Sequence, residues 1–259
     1  MASSAPRPCA ERRRAPIVTL LAAVAAAAGF VAACVVVVTG AIATGAVAHA
    51  HEPDDTVPAA VRMDFVPPPA GSYALHAIMA APDGTVLDTN GRRLPLSRFT
   101  SGKITLLGFI YTSCADARGC PLAYQVFHTV RHRVADDPAL RDRVRLVSLS
   151  FDPARDTPAV MRHYAAGAAP NGVEWAFLTT ERPRSLVPLL DGFGQDVRIE
   201  VDAHGRPAGP LAHVLKVFLL DERATVREIY TTAYLFPEVI MNDIKTLRLE
   251  DRPQRKIAR

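Results

Sequence analysis

The chain has 259 residues and a formal net charge of +4, long enough for one core of ordinary size with additions. Residues 1–50 hold four arginines and one glutamate, a charge of +3, which leaves 4 − 3 = +1 for everything after them. So weakly charged a remainder argues against a nucleic-acid surface.

In chain order, residues 1–14 are a basic N-terminus ending in Arg12, Arg13 and Arg14. Residues 15–50, APIVTLLAAVAAAAGFVAACVVVVTGAIATGAVAHA, contain no charge. A membrane-spanning helix needs about 20 apolar residues. The arginines should stay in the cytoplasm and send the rest of the chain to the periplasmic (extracytoplasmic) side. The segment therefore reads as a transmembrane anchor. Two alternatives stay open: cleavage after Ala48-His49-Ala50, which would release the domain, or lipidation at Cys34 in VAAC. The run exceeds the about 7–15 apolar residues of a signal peptide, and it stays apolar beyond Cys34; both features favour the anchor. Residues 51–72 are proline-rich and polar, a linker holding the domain off the membrane. The basic end, 251–259, reads as a solvated tail.

Residues 73–250 alternate strands and helices. YALHAIMA and GTVLDTNGRRLPL read as a strand and a hairpin turning at Asn90-Gly91. The apolar run KITLLGFIY, residues 103–111, fits a central buried strand. After the cysteines, Leu122, Val126, Val130 and Val134 recur at helical spacing. VRLVSLSF is a second buried strand. TPAVMRHYAAG follows as a helix capped by Asp156 or Thr157, with Pro158 in its first turn. VEWAFLTT is a strand and PRSLVPLLDGFG a short helix. VLKVFLLD and TVREIYTT pair around Glu222-Arg223, and FPEVIMNDIKTLRLE closes as a helix. This order is that of an α/β, thioredoxin-like sandwich. Strands 103–111 and 144–151 should be parallel neighbours, with Cys114 just beyond the first.

Four cysteines are present, of which Cys9 and Cys34 fall in the leader. Cys114 and Cys120 reach the oxidising side, where a structural disulfide is the plain expectation. A domain of this size gains little from so short a staple. Pro121 suits the start of a helix, and a helix start favours thiolate. Two thiolates there serve redox exchange or hold a soft metal, and the C-x5-C spacing suits chelation at least as well as exchange. Copper or zinc would want histidine as well. His128 and His132 lie an i, i+4 step apart but read as a solvated face. His76, His163 and His204 read as surface residues. His213 stands in GPLAHVLKVFLLD, just before a strand.

GFIYTSC…GCP, then SLSFDPARDTPAVMRHY, then His213 with VFLLD ending at Asp221, resemble the Sco/SenC copper-chaperone family over residues 73–249. The second stretch matches the family pattern at Ser150, Asp152, Pro153, Arg155, Asp156, Thr157 and Pro158. The departure is in the first motif, where five residues rather than three separate the cysteines. Asp116 keeps the family's acidic position, so the insertion falls just before Cys120, with Gly119 permitting a tight return. The resemblance implies a copper ion held by Cys114, Cys120 and His213. It further implies a metallochaperone, not a turnover enzyme, serving the cytochrome c oxidase subunit that carries the binuclear copper site, or another copper or thiol protein. The alternative is a membrane-tethered thiol–disulfide oxidoreductase using Cys114 and Cys120. Trp175, Phe177 and Tyr164 read as core.

Overall fold

The computed structural model describes residues 63–114, 116–201 and 207–250. The basic N-terminus, the predicted anchor, residues 51–62 of the linker, His204 and the tail 251–259 lie outside the described residues. Among the described residues no helix is long and apolar enough to cross a membrane.

The elements in order are β1 (Met79–Ala80), β2 (Thr85–Leu87), β3 (Arg93–Pro95), α1 (Ser97–Thr100), β4 (Ile104–Ile110), α2 (Cys120–Asp136), β5 (Val144–Ser150) and α3 (Pro158–Ala165). Then follow β6 (Trp175–Leu178), α4 (Pro183–Phe193), β7 (Val197–Val201), β8 (Pro207–His213), β9 (Val217–Leu220), β10 (Thr225–Tyr230) and α5 (Pro237–Glu250). The main sheet has the order β1-β10-β9-β4-β5-β6. β4 runs parallel to β5 from Ile104↔Val144 to Ile110↔Ser150, and β5 runs parallel to β6. β9 closes against the other side of β4, antiparallel.

Every residue of β4 and β5 is buried, as a continuous apolar run demands when both sheet faces are covered. One face carries a core of Ile104 and Leu106 with Val126, Phe127 and Val130 of α2 and Ile240 and Ile244 of α5. The opposite core joins Leu107 and Phe109 to Met161 of α3, and to Leu186, Leu189 and Phe193 of α4. The layers are thus helix, sheet, helix, and the thiols sit where β4 gives way to α2.

Three features depart from the sequence reading. β1 is only two residues long and pairs with Val226 and Thr225 of β10, so His76 is exposed coil rather than strand. β7 and β8 form a separate antiparallel hairpin where no element was expected; β7, VRIEV, alternates apolar and polar residues and could have been read as a strand, whereas β8, PAGPLAH, is rich in proline and glycine and carries no such period. Residues read as the end of the linker pack on the domain. Phe65 meets the rings of Tyr234 and Phe236 at 6.0 Å each, and Asn242 Nδ2 donates to the Pro68 carbonyl.

Candidate metal centre

β4 ends at Ile110, and the chain turns through Tyr111, Thr112 and Ser113 to Cys114. The turn is tied down by one carboxylate. Asp156 accepts from the Thr112 amide at 3.1 Å, from the Thr112 hydroxyl at 2.5 Å and from Ser150 Oγ at 2.6 Å. Asp156 and Ser150 are buried, so the bond between them is made away from water, whereas Thr112 is half-buried. Ser150 Oγ also accepts from the Asp152 amide, and Arg155 pairs with Asp152 at 2.8 Å. FDPARDTP therefore acts as the scaffold that fixes the cysteine loop to the end of β5. Thr157 opens α3 as its N-cap, as expected from the Asp-Thr-Pro run.

Within the loop, Asp116 folds the chain back: its Oδ1 accepts from the Arg118 amide and its carbonyl from the Gly119 amide. Gly119 is the N-cap of α2, with φ −99°. It is glycine because a Cβ there would lie 3.3 Å from both the carbonyl and the carboxylate of Asp116, not because the backbone is left-handed.

Cys114 is half-buried and Cys120 buried; neither is in a disulfide. The two thiols are close enough to act on each other's ionisation, and Cys114 is close enough to act on the Tyr111 phenol. The expectation of an easily formed thiolate fails at Cys120. Burial pushes its thiol up to about 12; the Tyr111 amide opposes this, and Cys114 adds to it. Cys120 is 1% exposed, so the cost of an uncompensated buried charge outweighs the helix terminus. Burial also raises the Tyr111 and Tyr164 phenols, and nearby Cys114 and Cys120 act in the same direction.

His213 is the last residue of β8, paired with Val197; its side chain lies outside the description. The two residues that follow it, Val214 and Leu215, line a cleft of about 320 Å³ together with Asp116, Arg118, Gly119 and Thr232. The cysteine loop and the chain just beyond His213 therefore border one cleft. Among the described residues no three His, Cys, Asp or Glu side chains gather into a cluster. Asp221 stands elsewhere: it caps the β9–β10 turn by accepting from the Arg223 and Thr225 amides, and pairs with Arg227 at 3.2 Å.

His132 and His163 are exposed, as expected. His128 is not the solvated residue that its spacing suggested. It is half-buried, with its ring 4.6 Å from Tyr124 and 5.0 Å from Trp175. Phe177 is core, whereas Trp175 and Tyr164 are half-buried. The residue that sequence reasoning undervalued is Asp156, whose signal lay in the SFDPARDTP match but whose reach to Thr112 is a tertiary fact.

Two soft donors meet at a helix start, beside a cleft shared with a histidine-bearing strand end. That donor set fits a copper ion. Comparison with known proteins gives the frame. The chain is similar to Arabidopsis thaliana ScoI with copper bound, at 16% identity and TM-score 0.56, over 66% of this chain and 99% of that one. It is similar to copper-bound Bradyrhizobium japonicum ScoI at 23% identity and TM-score 0.51, over 64% and 98%. It is also similar to BsSco, described as having a disulfide switch and as a member of the Sco family of cytochrome c oxidase assembly proteins. That match is at 21% identity and TM-score 0.50, over 66% and 94%. No curated protein matches the chain. The profile of the SCO1/SenC family matches residues 81–248, and the chain belongs to that family.

Proposed function

We propose that this chain is a membrane-tethered copper metallochaperone that assists assembly of the binuclear copper site of cytochrome c oxidase. Cys114, Cys120 and His213 would hold the ion as cargo. The supporting observation is the shared cleft: Asp116–Gly119 of the cysteine loop on one side, Val214 and Leu215 after His213 on the other. The copper-bound state of the Arabidopsis and Bradyrhizobium relatives supports the choice of metal. Thiolates suit Cu(I), and an imidazole extends the site to Cu(II). A site of three ligands leaves room for a partner's ligand to enter and take the ion by exchange. Membership of BsSco among oxidase assembly proteins supports the partner. The uncharged segment 15–50 behind three arginines supports a tether with the domain outside the cytoplasm.

Copper titration of the purified protein tests this reading. One copper should bind per reduced chain. Cys114→Ser or Cys120→Ser should nearly abolish binding, and His213→Ala should weaken Cu(II) more than Cu(I). Stoichiometric binding by the double Cys→Ser variant would overturn the ligand set. A reporter fused after Arg259 should be active only outside the cytoplasm; activity inside would sink the tethered arrangement.

A second reading is favoured by the nearness of the two thiols, neither of which is in a disulfide. Sulfurs that close could form a disulfide, passing two electrons and two protons to a partner disulfide that becomes two thiols. Unchanged Cu(II) affinity in His213→Ala, together with disulfide exchange, would favour this oxidoreductase.

A further inference from the structure

Past the bulge in β10, Glu228, Ile229 and Tyr230 run in register with β9. Side chains two apart on a strand share a face, and Tyr230 reaches Asp243 of α5, so Glu228 and Tyr230 both face that helix. There they line a cleft of about 330 Å³ with Phe65 and Tyr73 of the segment before β1, Tyr234 of the β10–α5 connection, and Asp243. That volume lies within the range of about 300–1,000 Å³ for small-molecule sites.

The cleft collects four aromatic rings and two carboxylates. The phenols of Tyr73 and Tyr230 both donate to Asp243, which is buried. Glu228 raises both phenols, so its charge is felt there too. Among the described residues neither carboxylate pairs with Lys, Arg or His. Negative charge at a partly desolvated cleft without a counter-charge is unfavourable and attracts a cation. The acceptors narrow its class. Asp243 Oδ1 and Oδ2 take the two phenols and Glu228 Oε1 takes the Ile229 amide, so three of the four carboxylate oxygens are engaged. An alkylammonium or guanidinium brings several N–H donors that need acceptors, and a hard metal ion needs a shell of oxygens. A quaternary ammonium brings charge and methyl groups without a donor, and aromatic faces hold it. We propose that this cleft binds a quaternary ammonium group, that of a free choline-type solute or of a phosphocholine headgroup, with Phe65, Tyr73 and Tyr234 around the methyls and Glu228 as counter-charge. The proposal is independent of the copper reading.

The test is calorimetric titration of the full chain in a maltoside detergent with choline, at constant ionic strength. One choline should bind per chain. 3,3-Dimethylbutanol, which has the same shape with carbon in place of the charged nitrogen, should bind at least about tenfold more weakly. Tyr234 is 59% exposed, so Tyr234→Leu leaves the fold intact while removing a ring; it should weaken choline about 3- to 30-fold. Glu228→Gln keeps the acceptor for the Ile229 amide and should also weaken choline, with no effect on the neutral analogue. Glycerophosphocholine distinguishes the sources: binding as tight as choline or tighter points to the lipid headgroup, weaker binding to a free solute. No saturable choline binding, or equal binding of choline and the neutral analogue, would overturn the proposal. So would choline binding that appears only in a chain ending at Glu250, because the basic residues 251–259 would then be the occupant.

Discussion

Asp156 takes three hydrogen bonds in a position 1% exposed. Removing it strands the Ser150 hydroxyl in a dry interior and takes the partner from the amide and hydroxyl of half-buried Thr112; a buried group left unpaired costs roughly 1–3 kcal/mol. Partial relaxation keeps such losses from adding in full. Asp156→Ala is expected to destabilise the protein by about 3 kcal/mol, measured by urea unfolding. It should also weaken copper binding, because the turn that delivers Cys114 loses its anchor. Asp156→Asn keeps the shape and some of the acceptors, so it should fall between wild type and Asp156→Ala on both measures.

At the scale of one element, α2 carries Cys120, Tyr124 and His128 at successive i, i+4 steps, which places them along one stripe of the helix. Tyr124 and His128 both pack on Trp175, at 5.2 Å and 5.0 Å, and Trp175 Nε1 donates to Ser148 Oγ on β5. Burial lowers the His128 pKa, and the charges of Arg131 and His132 lower it further. The fold thus prefers the neutral ring. Its stabilising contribution is present above the ordinary histidine value of about 6.5 and is lost as pH falls through the depressed folded value. Trp175 is the only tryptophan, and a protonated imidazole quenches indole emission. Emission should therefore drop on acidification with a midpoint below about 6.5, and His128→Phe should remove the step. A midpoint at or above the ordinary value would contradict the packing described for this helix.

Across the whole molecule, the N-terminal strap is joined to the last helix and the sheet by a buried carboxylate. Asp243 on α5 accepts from Tyr73 at 2.5 Å and from Tyr230 of β10 at 2.7 Å. Burial raises the Asp243 pKa against the lowering effect of the two phenols. Burial and the bond to Asp243 raise Tyr73 to about 12, and the Tyr230 phenol is raised by burial and Asp243 as well. The folded state holds both phenols protonated. That stabilisation is complete below about pH 10, where an unfolded tyrosine titrates, and is lost as pH rises through the folded value. The urea midpoint should therefore fall as pH rises from 10 to about 12. Tyr73→Phe should start lower at neutral pH and show a shallower alkaline decline. An equal decline in Tyr73→Phe would mean that another group controls it.

The sequence by itself determined the helix–sheet–helix alternation, the parallel pair β4 and β5, the β9–β10 hairpin, the two cysteines at the head of α2 and the family. These are carried by local signals: unbroken apolar runs, helical spacing from Leu122 to Val134, Asp-Thr-Pro at a helix start, and ordered motifs. Only the tertiary structure decided the rest. β8, PAGPLAH, has no period of its own and is defined by its pairing with β7. Cys120 reads as a reactive thiol until the fold buries it, and desolvation then outweighs the helix terminus. His128 looks solvated until β6 brings Trp175 against it. Asp156 reaches Thr112 across 44 positions of chain, and Gln195 holds Val214 across 19. Burial and long-range hydrogen bonds depend on which segments meet, and no local window of sequence contains that information.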